Sequence, residues 1–205
     1  MKKFSKRLAA AVLAVSMVAL AGCGNGNNGN GGKANGKGGY TADNKEFFIG
    51  ATGPLTGDAS SYGQSVSDGA KLAIEEINAA GGLNGVKFKF DIKDDQAKAA
   101  DAATGYDTLF EAGMNVSLGS VTSGSCDSFA SKAEEDNLFF ITPSASAANV
   151  IENRPTAFRV CFGDPDQGTL AAEEITKQYK KIGAIYDTSD AYSTGIYKAF
   201  KDEMK

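Results

Sequence analysis

The 205-residue chain contains no histidine. That absence excludes Ser-His-Asp and Cys-His triads, His-ligated zinc and haem sites, and any switch built on imidazole protonation. A lysine partner is the remaining common way to activate a serine, and the spacing Ser-x-x-Lys does not occur. Neither does a G-x-x-x-x-G-K-[ST] phosphate loop, a Cys-x-x-Cys pair or an Asp-rich calcium loop. A hydrolase is therefore not expected, nor a resident metal or cofactor. Basic residues are also in the minority, 21 Lys and Arg against 25 Asp and Glu, so a nucleic-acid footprint is not expected.

What is present at the N-terminus reads as an address. Lys2, Lys3, Lys6 and Arg7 precede the apolar run Leu8–Leu20, and Leu20-Ala21-Gly22-Cys23 follows. This is the anatomy of a secretory signal peptide, and the run falls short of the roughly 20 residues that cross a bilayer. The final four residues resemble the lipobox of bacterial lipoproteins, which implies a leader over residues 1–22 and a lipidated Cys23. The alternative is a signal peptide whose cysteine is incidental. Loss of the leader removes four of the 21 basic residues and no acid, leaving 17 against 25, so attachment would rest on acyl chains rather than on anionic lipid. Residues 24–44 are mostly Gly, Asn and Lys, too polar to pack, and predict a flexible tether of about 25 Å mean reach. The G-x-G-x-x-G match at Gly24, Gly26 and Gly29 has no strand before it and no helix after it.

From Glu46 the pattern alternates. Strands are expected at Phe47–Ile49, Phe88–Ile92, Asn115–Leu118, Leu138–Thr142, Ala157–Phe162 and Lys181–Tyr186. Helices are expected from Val66 to Ile77, Ala97 to Glu111, Cys126 to Asp136, Asp166 to Tyr179, and from Gly195 onward. Crossovers of this length predict parallel strands, hence an α/β fold with its binding groups in loops beyond the strands' carboxyl ends. Those loops are Thr52 to Gly63, Gly119 to Ser125, Pro143 to Ala148 and Asp187 to Thr194.

Three of the loops are rich in hydroxyls. Serines and amides at a helix start bind carboxylates or phosphates, although Ser125 or Ser144 could equally cap its own helix. Cys126 and Cys161 are open to pairing or to separate burial. Asp94-Asp95 reads as a solvated strand end rather than a metal site.

The runs Ile49-Gly50-Ala51-Thr52-Gly53-Pro54-Leu55-Thr56-Gly57, Gly69-Ala70-Lys71-Leu72-Ala73-Ile74-Glu75-Glu76-Ile77-Asn78 and Ile141-Thr142-Pro143-Ser144-Ala145-Ser146 resemble branched-chain amino-acid binding proteins. So do Phe158-Arg159-Val160, Asp166-Gln167-Gly168 and Tyr192-Ser193-Thr194-Gly195. These are the type I periplasmic substrate-binding proteins of ABC importers. The resemblance implies parallel sheets flanked by helices in two lobes, a first lobe over residues 45–160, incomplete here, and a hinge and truncated second lobe over residues 161–205. It implies that Ser123, with amides near Gly124 and Ser125, holds a ligand carboxylate. Ser146 and the Ala145 carbonyl would take the amino-acid head, Tyr62 the first-lobe wall and Tyr192 the closing lobe. The ammonium-binding acid would come from later in the chain. The implied function is an anchored receptor on the outer face of the bacterial cytoplasmic membrane, delivering an amino acid to an ABC permease and ATPase. The alternative is a sensory ligand-binding domain of the same fold.

Overall fold

The computed structural model describes residues 46–205. The leader, Cys23 and the tether expected over residues 1–44 lie outside the described residues. The elements run β1 (Glu46–Gly53), α1 (Ser60–Ala79), β2 (Lys87–Asp94), α2 (Ala99–Glu111), β3 (Val116–Ser117), α3 (Ser123–Glu135) and β4 (Phe140–Thr142). A single 3-10 turn (Ala148–Val150), β5 (Ala157–Arg159), α4 (Asp164–Thr176) and α5 (Ala191–Glu203) follow.

The strands form one sheet in the order β2-β1-β3-β4-β5, every pair parallel. β1 lies against β2 from Glu46 opposite Lys87 to Gly53 opposite Asp94, and against β3 through Ile49 and Gly50. The chain thus winds outward from β1 to β2 and then returns to the other side of β1 at β3. At that reversal the following loops diverge and leave a crevice outside the carboxyl ends.

The sheet is held by helical stripes. Ala102, Tyr106 and Leu109 on α2, and Cys126, Phe129, Ala130 and Ala133 on α3, recur at helical spacing and are all fully buried. The Phe129 ring stands edge-on to Tyr106 at 4.9 Å and to Phe140 of β4 at 5.7 Å, tying α2, α3 and the sheet together. α1 packs along β1 and β2, on the opposite face as right-handed crossovers require. Its first turn sits directly on the loop after β1, because a Cβ on Gly63 would collide with the Pro54 carbonyl. At the far end of the sheet Phe139, Phe158 and Val160 are exposed.

Several expectations need correction. Lys181–Tyr186 is not a strand, and Ile185 within it is fully exposed. An apolar run becomes a strand only where a neighbour completes its backbone ladder, and none lies beside it among the described residues. α3 begins at Ser123 rather than Cys126, so the hydroxyl cluster forms its first turn. α4 begins at Asp164 and ends at Thr176. Pro165 suits a first helical turn, and the Gly163 N–H donates to the Asp166 carboxylate at 3.4 Å. Cys126 and Cys161 are both free thiols; Cys126 is a core residue, and burial pushes its thiol up to about 12. Among the described residues no helix is long and apolar enough to cross a membrane.

Candidate functional site

The first turn of an α-helix leaves backbone N–H groups without intrahelical acceptors. In α3 those belong to Ser123, Gly124 and Ser125, and Thr122 before them makes no side-chain cap. The Ser123 hydroxyl accepts hydrogen bonds from the backbone N–H groups of Ser146 and Ala147, each at 3.2 Å. Its oxygen is thereby engaged as an acceptor, and its own proton remains to be donated. A Cβ placed on Gly124 would meet nothing within 4 Å, so the space beside that residue is open. The Ser125 and Thr122 hydroxyls are buried without a hydrogen-bond partner. Neither Ser125 nor Ser144 caps a helix: Ser125 lies inside the first turn, and the 3-10 turn starts from Ala147. Free amides, the positive end of the helix dipole and one hydroxyl proton together suit a carboxylate.

A buried network sets the position of this turn. Asp95 has no exposed surface; it accepts from the Ser120 hydroxyl at 2.6 Å and from the Ala97 N–H at 2.9 Å. The Ser120 carbonyl accepts from the Thr142 hydroxyl at 2.8 Å, and the Thr142 oxygen accepts from the Ala145 N–H at 3.1 Å. Three loops at the carboxyl edge are thus joined side chain to backbone. Asp94 does the same for the loop leading to Tyr62, accepting from the Leu55 N–H at 2.8 Å and the Thr56 hydroxyl at 2.5 Å. The pair Asp94-Asp95 is therefore a loop clamp rather than a solvated strand end. Each carboxylate also accepts from the amide two residues on, which supports Gln96 and Ala97 at positive φ of 50° and 58°.

Burial pushes the Asp95 carboxyl above the ordinary carboxylate range, against the opposing effect of its hydrogen bonds. Because the folded state holds this proton more tightly than the unfolded chain, the contribution is present below the ordinary value of 3.8 and is lost as pH rises through the folded value. Replacing Asp95 with asparagine is expected to flatten that part of the stability-pH curve in urea titrations, while alanine lowers stability by about 1–3 kcal/mol at every pH. An unaltered curve in the asparagine variant would contradict the buried clamp.

Ser146 joins the carboxylate-suited turn to a second feature. Its carbonyl accepts from the Asp164 N–H at 3.0 Å and from Arg159 Nη1 at 2.7 Å. The same guanidinium nitrogen also reaches the Ala147 carbonyl at 3.1 Å. Asp164, the first residue of α4, is fully buried, and neither carboxyl oxygen has a hydrogen-bond partner. The Ser146 hydroxyl lies close enough to favour its ionised form but outside hydrogen-bonding geometry. Burial raises the Asp164 carboxyl above its ordinary range and Asp190 adds to this, while Ser146 and Arg159 oppose it. Sequence reasoning missed Asp164, since an acid beside Pro165 at a helix start reads as a partner for the helix dipole. Asp95 was missed because only the fold buries it.

The remaining expected residues are placed as follows. Tyr62, in the first turn of α1, is 64% exposed, and Tyr192, in the first turn of α5, is 43% exposed. The Tyr192 hydroxyl donates to Gln167 Oε1 at 3.4 Å. Burial raises its phenol above the ordinary range, with Asp164, Tyr62 and Asp190 contributing. Ala145 packs in the core and has no exposed surface. The structure therefore brings Ser123, Gly124 and Ser125 together with Ser146, while Tyr62 and Tyr192 stand exposed at the starts of α1 and α5.

An open parallel sheet with uncapped, hydroxyl-bearing helix starts at its carboxyl edge has the architecture of a ligand-binding α/β lobe. A family model described as "Periplasmic binding protein" matches residues 46–205, and the chain belongs to that family. It is similar to the Leu/Ile/Val-binding protein BraC3 of Rhizobium johnstonii, 32% identical over 155 residues, covering 75% of this chain and 42% of that one. It is also similar to the leucine-, isoleucine-, valine-, threonine- and alanine-binding protein of Pseudomonas aeruginosa, 31% identical over 159 residues, covering 77% and 43%. Among solved structures, the branched-chain amino acid transporter substrate-binding protein LivJ of Streptococcus pneumoniae, in complex with isoleucine, superposes with a TM-score of 0.73. That match has 28% identity and covers 78% of this chain and 47% of the other. The chain spans less than half the length of these relatives.

Proposed function

We propose that this chain is the ligand-capturing part of an extracytoplasmic receptor that takes up an amino acid with a branched apolar side chain for an ABC importer. The observation that carries the reading is the uncapped first turn of α3 with Ser123 held against the Ser146 loop. It offers neutral donors to a carboxylate and breaks no bond. The similar proteins named for leucine, isoleucine and valine support the choice of ligand. The family is one of binding proteins working outside the cytoplasm.

In this reading residues 45–160 form the first lobe and residues 161–205 the hinge and the start of the second. The carboxylate sits on the amides of Gly124 and Ser125 and on the Ser123 hydroxyl, and the head group meets Ser146 and the Ala145 carbonyl. Tyr62 lines the side-chain pocket, and Tyr192 meets the ligand on closure. Contact with both lobes favours the closed state by differential affinity. Cys23, lipidated after removal of residues 1–22, tethers the receptor beside its permease and ATPase. A thermal-shift screen of the common amino acids tests the reading. Leucine, isoleucine and valine at millimolar concentration are expected to raise the melting temperature, and no response to any amino acid would contradict it.

A further inference from the structure

We propose that Arg159 is a positioning residue of this site, its guanidinium gripping and polarising the Ser146–Ala147 peptide so that Ser123 is held as a hydrogen-bond donor toward the ligand. The inference rests on the amino-acid reading above and adds to it a residue that does not touch the ligand.

Arg159 closes β5 and lies opposite Thr142, the last residue of β4. Parallel strands put both carboxyl ends at the same edge of the sheet, so a long side chain from one can reach the loop that leaves the other. Arg159 does so: its Nη1 donates to the Ser146 carbonyl at 2.7 Å and to the Ala147 carbonyl at 3.1 Å. The neighbouring Arg154 is paired with Asp127 and Glu134 at 3.0 and 3.2 Å, whereas no carboxylate among the described residues lies within ion-pair distance of Arg159. Its charge therefore falls on neutral carbonyls, and hydrogen bonds from an ionised donor are stronger than those between neutral groups.

The Ser146 carbonyl and the Ala147 N–H belong to one planar amide. Arg159 and the Asp164 N–H, at 2.7 and 3.0 Å, draw on the carbonyl end of that unit. Its other end donates to the Ser123 hydroxyl at 3.2 Å, beside the Ser146 N–H at the same distance. Pulling electron density toward the carbonyl oxygen makes the N–H a stronger donor, which is the cooperative strengthening expected along a hydrogen-bond chain. A serine oxygen has two acceptor positions and one proton. With both positions occupied by N–H groups, the hydroxyl can only donate. A ligand carboxylate is then favoured, and a ligand group that offers a proton to Ser123 finds no acceptor.

Titration with L-leucine of the chain, its Arg159→Gln and Ser123→Ala variants and the doubly substituted chain separates this role from simple satisfaction of two carbonyls. Arg159→Gln is expected to weaken binding by about threefold to thirtyfold, within the coupling shown by residues of one network. In the Ser123→Ala background the same substitution is expected to change affinity by less than about twofold, because the group it acts through is gone. A second measurement needs no variant. On the unsubstituted chain, leucine is expected to move the Ala147 amide proton downfield and the Arg159 Nη resonance with it, since a hydroxyl that donates to an anion becomes a better acceptor. An Arg159→Gln effect that persists in full without the Ser123 hydroxyl, unchanged affinity in the single variant, or Ala147 and Arg159 resonances unmoved by bound leucine overturns the assignment and leaves the amino-acid reading intact. If leucine does not bind the unsubstituted chain, that reading fails and the assignment falls with it.

Discussion

Replacing Ser123 with alanine is expected to weaken leucine binding by about tenfold to a hundredfold, the loss that follows removal of a hydrogen bond to a charged group. Two effects act together. The hydroxyl proton proposed for the ligand carboxylate disappears, and the Ser146 and Ala147 N–H groups lose the acceptor they now share at 3.2 Å. Ser146 and Ala147 are both buried, so water does not readily replace that acceptor, and a stability loss of about 1–3 kcal/mol accompanies the binding defect. Threonine at this position keeps the oxygen and proton and is expected to recover most of the affinity. Calorimetric titration together with urea unfolding separates the two effects. Unchanged affinity in the alanine variant would remove Ser123 from the site.

The largest stability effect is expected at Phe129. Its ring is fully buried and touches Tyr106 and Phe140 edge-on, so truncation to alanine removes packing from α2, α3 and β4 together. Phenylalanine-to-alanine changes in cores cost about 3–5 kcal/mol, a large fraction of the roughly 5–15 kcal/mol that keeps a domain folded. Equilibrium unfolding should show a lower midpoint with a similar slope. Because α3 also carries Ser123, in its first turn, ligand affinity is expected to fall as well. A loss below about 1 kcal/mol would mean that the layer collapses around the gap and that Phe129 does not organise it.

The parts of this molecule that repeat with a period were legible in its sequence. The stripes of α2 and α3 show because one helical face is buried throughout, as the fully covered Tyr106, Phe129 and Ala133 demonstrate. Lys181–Tyr186 misled because strand identity depends on a neighbour that local pattern does not reveal. The hydroxyl clusters could be found, yet their placement inside the first turn of α3, rather than before it, decides that their amides are free. Asp95 and Asp164 are the clearest failures. Acids after a strand and at a helix start look solvated, and only tertiary packing shows that one clamps three loops while the other is buried without a partner.

The central claim is that the open first turn of α3 receives the carboxylate of a small zwitterion. Amide NMR of the chain titrated with L-leucine tests it most directly. The largest shifts are expected at the N–H groups of Ser123, Gly124 and Ser125, with smaller ones at Ser146 and Ala147. Leucine binding that leaves those amides unmoved would contradict the claim.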